Sequence, residues 1–425
     1  MKIMVIGGGG REHAIIRKLR EDPRAEEIYA LPGNGGIAAD AVCVPIGAKD
    51  IFGMVNFAQK EAIDFAVVAP DDPLALGAVD ALNAVGIPCF GPNRAAARIE
   101  SSKVFAKDLM ARYGIPTAAC HVFDNMQEAL RYVDRCPLPV VVKADGLALG
   151  KGVVIAVTRA EAVLAVRSMM EEKVFGESGT RVVVEEFLSG PEVSVLSFTD
   201  GETIVPMVSS MDHKRAHDGD EGPNTGGMGT VAPNPYYTPE IAQRCMEEIF
   251  LPTIRAMKAE GCPFKGCLYF GLMLTEDGPK VIEYNCRFGD PETQVVLPLL
   301  EGSLLEIMLA TAQGRLGELD VRFSGKSACC VILASQGYPQ HYEKGFPISL
   351  PETGENEYIY IAGAKVQDGT LVTSGGRVLG ATAVAEDLPA AVAAAYALAD
   401  RIHFDNAYCR RDIGRRALAE LGGKK

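Results

Sequence analysis

No apolar run in this chain approaches the roughly 18–20 residues needed to span a membrane. Nor does the N-terminus read as a signal peptide. Only Lys2 and a short apolar run at 3–6 precede the glycines at 7–10, which reads as a strand and a turn. Clustered basic residues are missing as well. The 425 residues carry 42 Lys and Arg against 55 Asp and Glu, a net charge of −13. Non-specific nucleic-acid binding by counterion release needs a basic block and is therefore not expected. The 11 cysteines form no CxxC pair and no zinc-like quartet. They read as inert thiols of a reducing, cytoplasmic setting. His13, His121, His217, His341 and His403 show no ligand spacing and read as structural. Repeats and low-complexity linkers are absent too. A globular profile remains, 48% hydrophobic and 23% charged, long enough for two to four packed units. An acidic protein that binds phosphate must build its positive field locally, so single cations beside glycine loops matter.

What is present begins with short apolar runs at 3–6, 28–31, 42–45, 65–69 and 89–90, which alternate with helical stretches. These read as buried parallel strands, and the polar loops after them lie where α/β sheets bind ligands. Ser101 is expected to cap a helix that closes near Gly114. Strands are expected at 140–143, 152–156, 181–187, 192–199 and 203–209. Thr238 and Pro239 open a long helix by the N-cap and first-position rule. A hairpin covers 266–274 and 280–285. Past Gly325 the pattern restarts with strands at 328–335, 358–366 and 376–383 and an Ala-rich helix at 388–402.

Four stretches carry chemistry. The loop from Gly7 to His13 lacks the sixth-position glycine of a dinucleotide fingerprint, because Glu12 stands there. Leu31-Pro32-Gly33 offers no acid for a ribose hydroxyl, so a dinucleotide oxidoreductase is disfavoured. A helix-start glycine loop with Arg11 still presents amides and charge to one phosphate. In the second stretch, Lys143 ends a Val-rich strand and a loop with Gly146, Gly150 and Gly152 follows, suited to wrapping a polyphosphate; this segment contains no Gly-Lys-Ser/Thr. Third, the strand through Glu185, with Phe187, Leu188 and Glu192 beyond it, has the makings of an adenine and ribose site. Fourth, alternation along 281–287 turns Glu283, Asn285 and Arg287 to one face of an apolar strand. Hard oxygens there suit Mg²⁺, and a guanidinium beside them suits a transferring phosphoryl group. Asp212-His213-Lys214-Arg215 and the run 224–229 bracket a polar loop that could cover a substrate carboxylate.

Together these stretches resemble the ATP-grasp superfamily, and within it the phosphoribosylamine–glycine ligases, or glycinamide ribonucleotide synthetases. Gly-Gly-Arg-Glu-His-Ala at 9–14, Lys-Ala-Asp-Gly-Leu-Ala at 143–148 and Asp-His-Lys-Arg at 212–215 carry the likeness. Gly-Pro-Asn-Thr-Gly-Gly-Met-Gly at 222–229 and Asn-Cys-Arg-Phe-Gly-Asp-Pro-Glu-Thr-Gln at 285–294 make it specific. It runs from Met1 to about Gly414 and departs from the family's pattern at Gly8, Ile361 and Ala364.

The resemblance implies an α/β fold in three parts: a Rossmann-like parallel-sheet domain at 1–100, an ATP-grasp domain at 101–320 and a small α+β domain at 321–425. A mobile lid is implied at about 116–188. Carried over by position, Lys103, Lys143, Gly150, Glu185, Phe187, Leu188 and Glu192 bind ATP. Glu283 and Asn285 hold Mg²⁺ or Mn²⁺, and Arg287, Lys214 and Asp212 are catalytic. Gly9, Gly10, Arg11, Gly33, Asn34 and Gly35 take the substrate phosphate. The implied reaction joins glycine to 5-phosphoribosylamine through glycyl phosphate, forming ADP and phosphate in purine biosynthesis. The enzyme is expected to be cytoplasmic and a monomer or small homo-oligomer. The rival within the superfamily is another carboxylate–amine ligase or a carboxylase of purine metabolism.

Overall fold

The computed structural model describes residues 1–147, 152–174 and 176–423. Among the described residues no helix is long and apolar enough to cross a membrane. The first 100 residues form a parallel sheet in the order Val42–Cys43, Glu27–Pro32, Lys2–Gly7, Phe65–Val68, Cys89–Phe90. Its strands are apolar because helices cover both faces. The strand order reverses beside Lys2–Gly7, and the loops after that strand and after Glu27–Pro32 meet there. Gly33 N donates to Gly7 O at 3.1 Å.

The middle of the chain builds two antiparallel sheets that face each other. One is ordered Cys120–Phe123, Val182–Glu186, Val140–Ala144, Val153–Ala156, with helices Met126–Val133 and Arg159–Met170 packed on it. The other is ordered Ile204–Pro206, Glu192–Thr199, Gly266–Thr275, Gly278–Asn285. They join at Thr117 and Val281, where Val281 N donates to Pro116 O at 2.8 Å and Thr117 Oγ1 to Val281 O at 2.7 Å. The C-terminal sheet holds Ser327–Ser335, Arg377–Ala385 and Glu357–Ile361 under the helix Leu388–Ala399. Met211–Asp212 and Gly229–Ala232, inside the stretch 101–320, extend this C-terminal sheet.

Some expected boundaries shift. Ser102, not Ser101, caps the helix Lys103–Tyr113, its Oγ accepting from Phe105 N at 3.1 Å. Ser101 instead ends a helix, Arg94–Ser101, that Asn93 starts by accepting from Ala96 N at 2.9 Å. With two adjacent serines, the Asn93 cap decides the register, and it puts Lys103 at the first helical position. The expected strand 358–366 breaks into Glu357–Ile361 and Ala364–Gln367, because Gly363 turns back to donate to Arg377 O at 2.9 Å. A further helix, Arg415–Gly423, follows the Ala-rich one.

Candidate active site

Glu283 and Asn285 alternate with Tyr284, which is buried in the core beneath the strand. Glu283 pairs with Gly271 and Val281 with Leu272, so Ile282 is an extra, unpaired residue. Such a bulge re-aims the backbone next to a site. Here it turns the Ile282 carbonyl to accept from Lys143 Nζ at 3.1 Å. Gly271 is required by close approach, since a Cβ there would lie 3.0 Å from Glu283 Cγ. Desolvation raises the Glu283 pKa, but Lys214, Lys143, Lys103 and Arg287 outweigh it and hold the carboxyl below its usual range.

Arg287 lies past the strand's end. Its Nη2 is 3.4 Å from Glu100 Oε1, and Glu100 Oε2 accepts from Cys286 N at 2.8 Å. Glu100 went unassigned from sequence, since an acid near a helix end ordinarily faces solvent. On the facing sheet, Glu185 is buried between Lys143 at 2.9 Å and Lys107 at 3.3 Å. Lys107 was missed too. It is one helical turn beyond Lys103 and donates to Thr117 Oγ1 at 2.8 Å and Ala118 O at 3.1 Å. The Glu185 side chain is thus a clamp between two lysines, and its other oxygen, Oε1, has no hydrogen-bond partner among the described residues. Lys103 donates to Gly146 O at 3.0 Å; burial lowers its pKa, opposed by Glu283. Phe187 is exposed and Leu188 half-buried beside this cleft. Gly150 lies outside the described residues.

At the other end of the cleft, Lys214 Nζ is 3.0 Å from Glu192 Oε2, the main reason its pKa is raised. Asp212 Oδ1 accepts from His213 N at 2.7 Å. Desolvation and then the neighbouring Glu292 push the Asp212 carboxyl well up, and desolvation raises Glu292. Two acids, one phenol (Tyr269, bonded to Ser194 Oγ at 2.8 Å) and Lys214 thus share one pocket. Gly227, at φ +114°, closes over it; a Cβ would stand 2.7 Å from Asp212 Oδ1 and 2.5 Å from Pro291. Arg377 holds this turn, donating to Gly226 O and Asp290 O, both at 2.8 Å. Glu292 lies within the run 285–294, whose resemblance assigns it no role, and Arg377 has no sequence signal beyond a glycine-rich turn.

The expectation of free amides in the glycine loops does not hold at several positions. Gly9 N donates to Glu12 Oε2 at 2.6 Å and Arg11 N to Asp290 Oδ2 at 3.4 Å. Arg11 itself bonds Glu12 Oε1 at 2.7 Å and Phe288 O at 3.1 Å. The cause is Glu12, an acid at the third helical position that reaches back to cap its own helix. Gly35 N donates to Ala364 O at 2.9 Å. Asn34 Nδ2 donates to Gly8 O at 3.0 Å and Ile361 O at 2.8 Å, while its Oδ1 accepts from Gly36 N and Ile37 N. Asn34 therefore fastens the N-terminal sheet's loops to the C-terminal unit. The departures at Gly8, Ile361 and Ala364 all meet at this joint. His13 is structural, accepting from Ile361 N at 2.8 Å and facing Asp40 at 2.9 Å.

Residues 1–100 match the phosphoribosylglycinamide synthetase N domain, 101–293 its ATP-grasp (A) domain and 328–416 its C domain. The chain belongs to the phosphoribosylglycinamide synthetase family. It is 48% identical over 413 residues to the phosphoribosylamine–glycine ligase of Caldanaerobacter subterraneus, covering 97% of this chain and 99% of that protein. Against the ligase of Vibrio vulnificus it is 48% identical over 424 residues, 99% of each. The crystal structure of the Thermotoga maritima phosphoribosylamine–glycine ligase superposes with a TM-score of 0.86 at 35% identity, covering 97% of this chain and all of that one. Biotin carboxylase of Campylobacter jejuni, at 15% identity and TM-score 0.74 over 96% of this chain and 92% of its own, shares the fold alone.

Proposed function

We infer that this member of the family joins glycine to 5-phosphoribosylamine, converting ATP to ADP and phosphate, as a step of purine biosynthesis. The observation that carries it is the convergence of Lys103, Lys143, Lys214 and Arg287 on Glu283 beside an acid pair, in a chain that matches such ligases end to end. In this reading ATP lies between the two facing sheets. Lys103 and Lys143 hold phosphate oxygens, Phe187 and Leu188 flank the adenine, and Glu192 takes ribose hydroxyls. The unpartnered Glu185 oxygen accepts from the adenine amine.

Glu283 and Asn285 present a carboxylate and an amide oxygen on one face, with Gly271 leaving room opposite, a donor set that fits Mg²⁺ or Mn²⁺. Such an ion would spread the charge of the phosphate oxygens. Glycine places its ammonium against Asp212 and Glu292 and its carboxylate toward Lys214. The γ-phosphorus leaves the ADP oxygen and bonds a glycine carboxylate oxygen, with Arg287 stabilising the equatorial oxygens. The amine of phosphoribosylamine then attacks the glycyl carbon. The bond to phosphate breaks, and phosphate leaves with the amine's proton. Gly10 and Arg11 would meet the ribosyl phosphate, which must displace the present partners of Arg11. The 11 free thiols fit a cytoplasmic setting.

A coupled ADP assay, omitting glycine and freshly generated phosphoribosylamine in turn, tests the reading. ADP formation should need both. Turnover that depends on bicarbonate instead of glycine would overturn it.

A further inference from the structure

A two-stranded hairpin, Arg215–His217 against Glu221–Asn224, separates Asp212 and Lys214 from the Gly226 turn over the acid pair. Among the described residues it joins no larger sheet, and an isolated strand pair is marginal in water. Its support comes from residues 195 positions away in sequence. Tyr408 OH donates to Ala216 O at 2.9 Å. Arg410, only 1% exposed, donates to Arg215 O at 3.0 Å and pairs with Asp220 at 3.0 Å. Its fork also grips Asp412 at 2.8 and 3.0 Å, and Asp412 accepts from Gly219 N at the hairpin tip at 2.8 Å. Gly414 N donates to His213 Nε2 at 3.1 Å, between Asp212 and Lys214. The strand Ala407–Tyr408 that begins this segment pairs with Ser327–Ser335, so the C-terminal sheet anchors it.

A buried ion pair is a poor source of stability by itself. What the directional contacts of Arg410 supply is alignment. We propose that residues 408–414 form a strap, with Arg410 as a positioning residue, that sets Asp212 and Lys214 for the amino-acid substrate. The proposal rests on the function inferred above. It makes the amino-acid end of the cleft depend on the C-terminal unit, while the ATP end depends on the facing sheets.

Steady-state kinetics of R410M, R410K and Y408F test it. R410M should raise KM for glycine about tenfold or more while KM for ATP stays within about twofold, and R410K should recover part of the loss. An unchanged glycine KM in folded R410M, or an equal rise for glycine and ATP, would overturn the proposal. Should R410M fail to fold, Y408F decides, since it removes only the hydroxyl contacts. A glycine KM up by roughly threefold with ATP unmoved supports the strap, and no glycine shift refutes it. A wild type that used another carboxylate would remove the inferred function, and the same split would then be read with that acid.

Discussion

Lys143 Nζ rests 3.1 Å from the carbonyl oxygen of Ile282, the bulged residue immediately before Glu283. One lysine thereby spans from the Val140–Ala144 strand to the strand expected to hold the metal, and its second partner, Glu185, lies 2.9 Å away on the same sheet. The contact ties the two walls of the cleft together at the point where polyphosphate would lie.

Lys143→Ala should lower ATP affinity about tenfold to a hundredfold by calorimetry, since a charge-assisted contact contributes roughly 1.5–3 kcal/mol. Stability should fall by ~1–3 kcal/mol as well, because Glu185 keeps only Lys107. The double change Lys143→Ala, Glu185→Gln should recover neither stability nor affinity, because it leaves the buried Lys107 without its carboxylate partner. Unchanged ATP affinity in the single variant would take Lys143 out of the site.

Glu283→Gln keeps the side chain's shape and loses its charge. Turnover should drop by about a hundredfold or more, and Mn²⁺ affinity, read by electron paramagnetic resonance with ATP present, by at least about tenfold. A chelator should abolish wild-type activity, and either Mg²⁺ or Mn²⁺ should restore it. Wild-type-like turnover and Mn²⁺ affinity in the variant would show that the ion sits elsewhere.

The acid pair makes a pH prediction. Desolvation raises the pKa of both Asp212 and Glu292. A group whose folded pKa lies above its unfolded value adds stability below the unfolded pKa, about 4 for a carboxyl, and loses it as pH rises through the folded pKa. Their contribution to apo-enzyme stability should therefore shrink as pH climbs from about 4. Glycine's ammonium needs the carboxylates ionised, so KM for glycine should fall over the same rise. Asp212→Asn should flatten that profile. A flat wild-type profile would separate these acids from glycine binding.

Much of the fold was legible because its signals are local. Buried parallel strands appear as apolar runs, and Thr238 with Pro239 marks a helix start that the structure keeps. Glu283 and Asn285 stood out because polar side chains on an apolar strand conflict with burial. What remained hidden depends on contacts distant in sequence. Glu100 holds Arg287 from 187 residues away, Arg377 reaches the Gly226 turn, and Lys107 finds Glu185 only when the helix Lys103–Tyr113 meets the strand Val182–Glu186. Two amides of the first glycine loop are hidden in the same way, since Glu12 accepts from Gly9 N and Asp290, far along the chain, from Arg11 N.

Asn34→Ala separates a joint from a phosphate ligand. It removes four hydrogen bonds, one to Ile361 in the C-terminal unit, one to Gly8 in the neighbouring loop and two within its own turn, which should cost about 2–4 kcal/mol in urea unfolding. A large rise in KM for phosphoribosylamine without loss of stability would instead make Asn34 a substrate contact.

The central claim is that ATP activates glycine's own carboxylate. Glycine carrying ¹⁸O in both carboxylate oxygens, turned over with ATP and phosphoribosylamine, tests it by mass spectrometry of the released phosphate. Activation as glycyl phosphate sends one labelled oxygen into inorganic phosphate per turnover and leaves the other in the product amide. Unlabelled phosphate, or label in AMP with pyrophosphate released, would contradict the account.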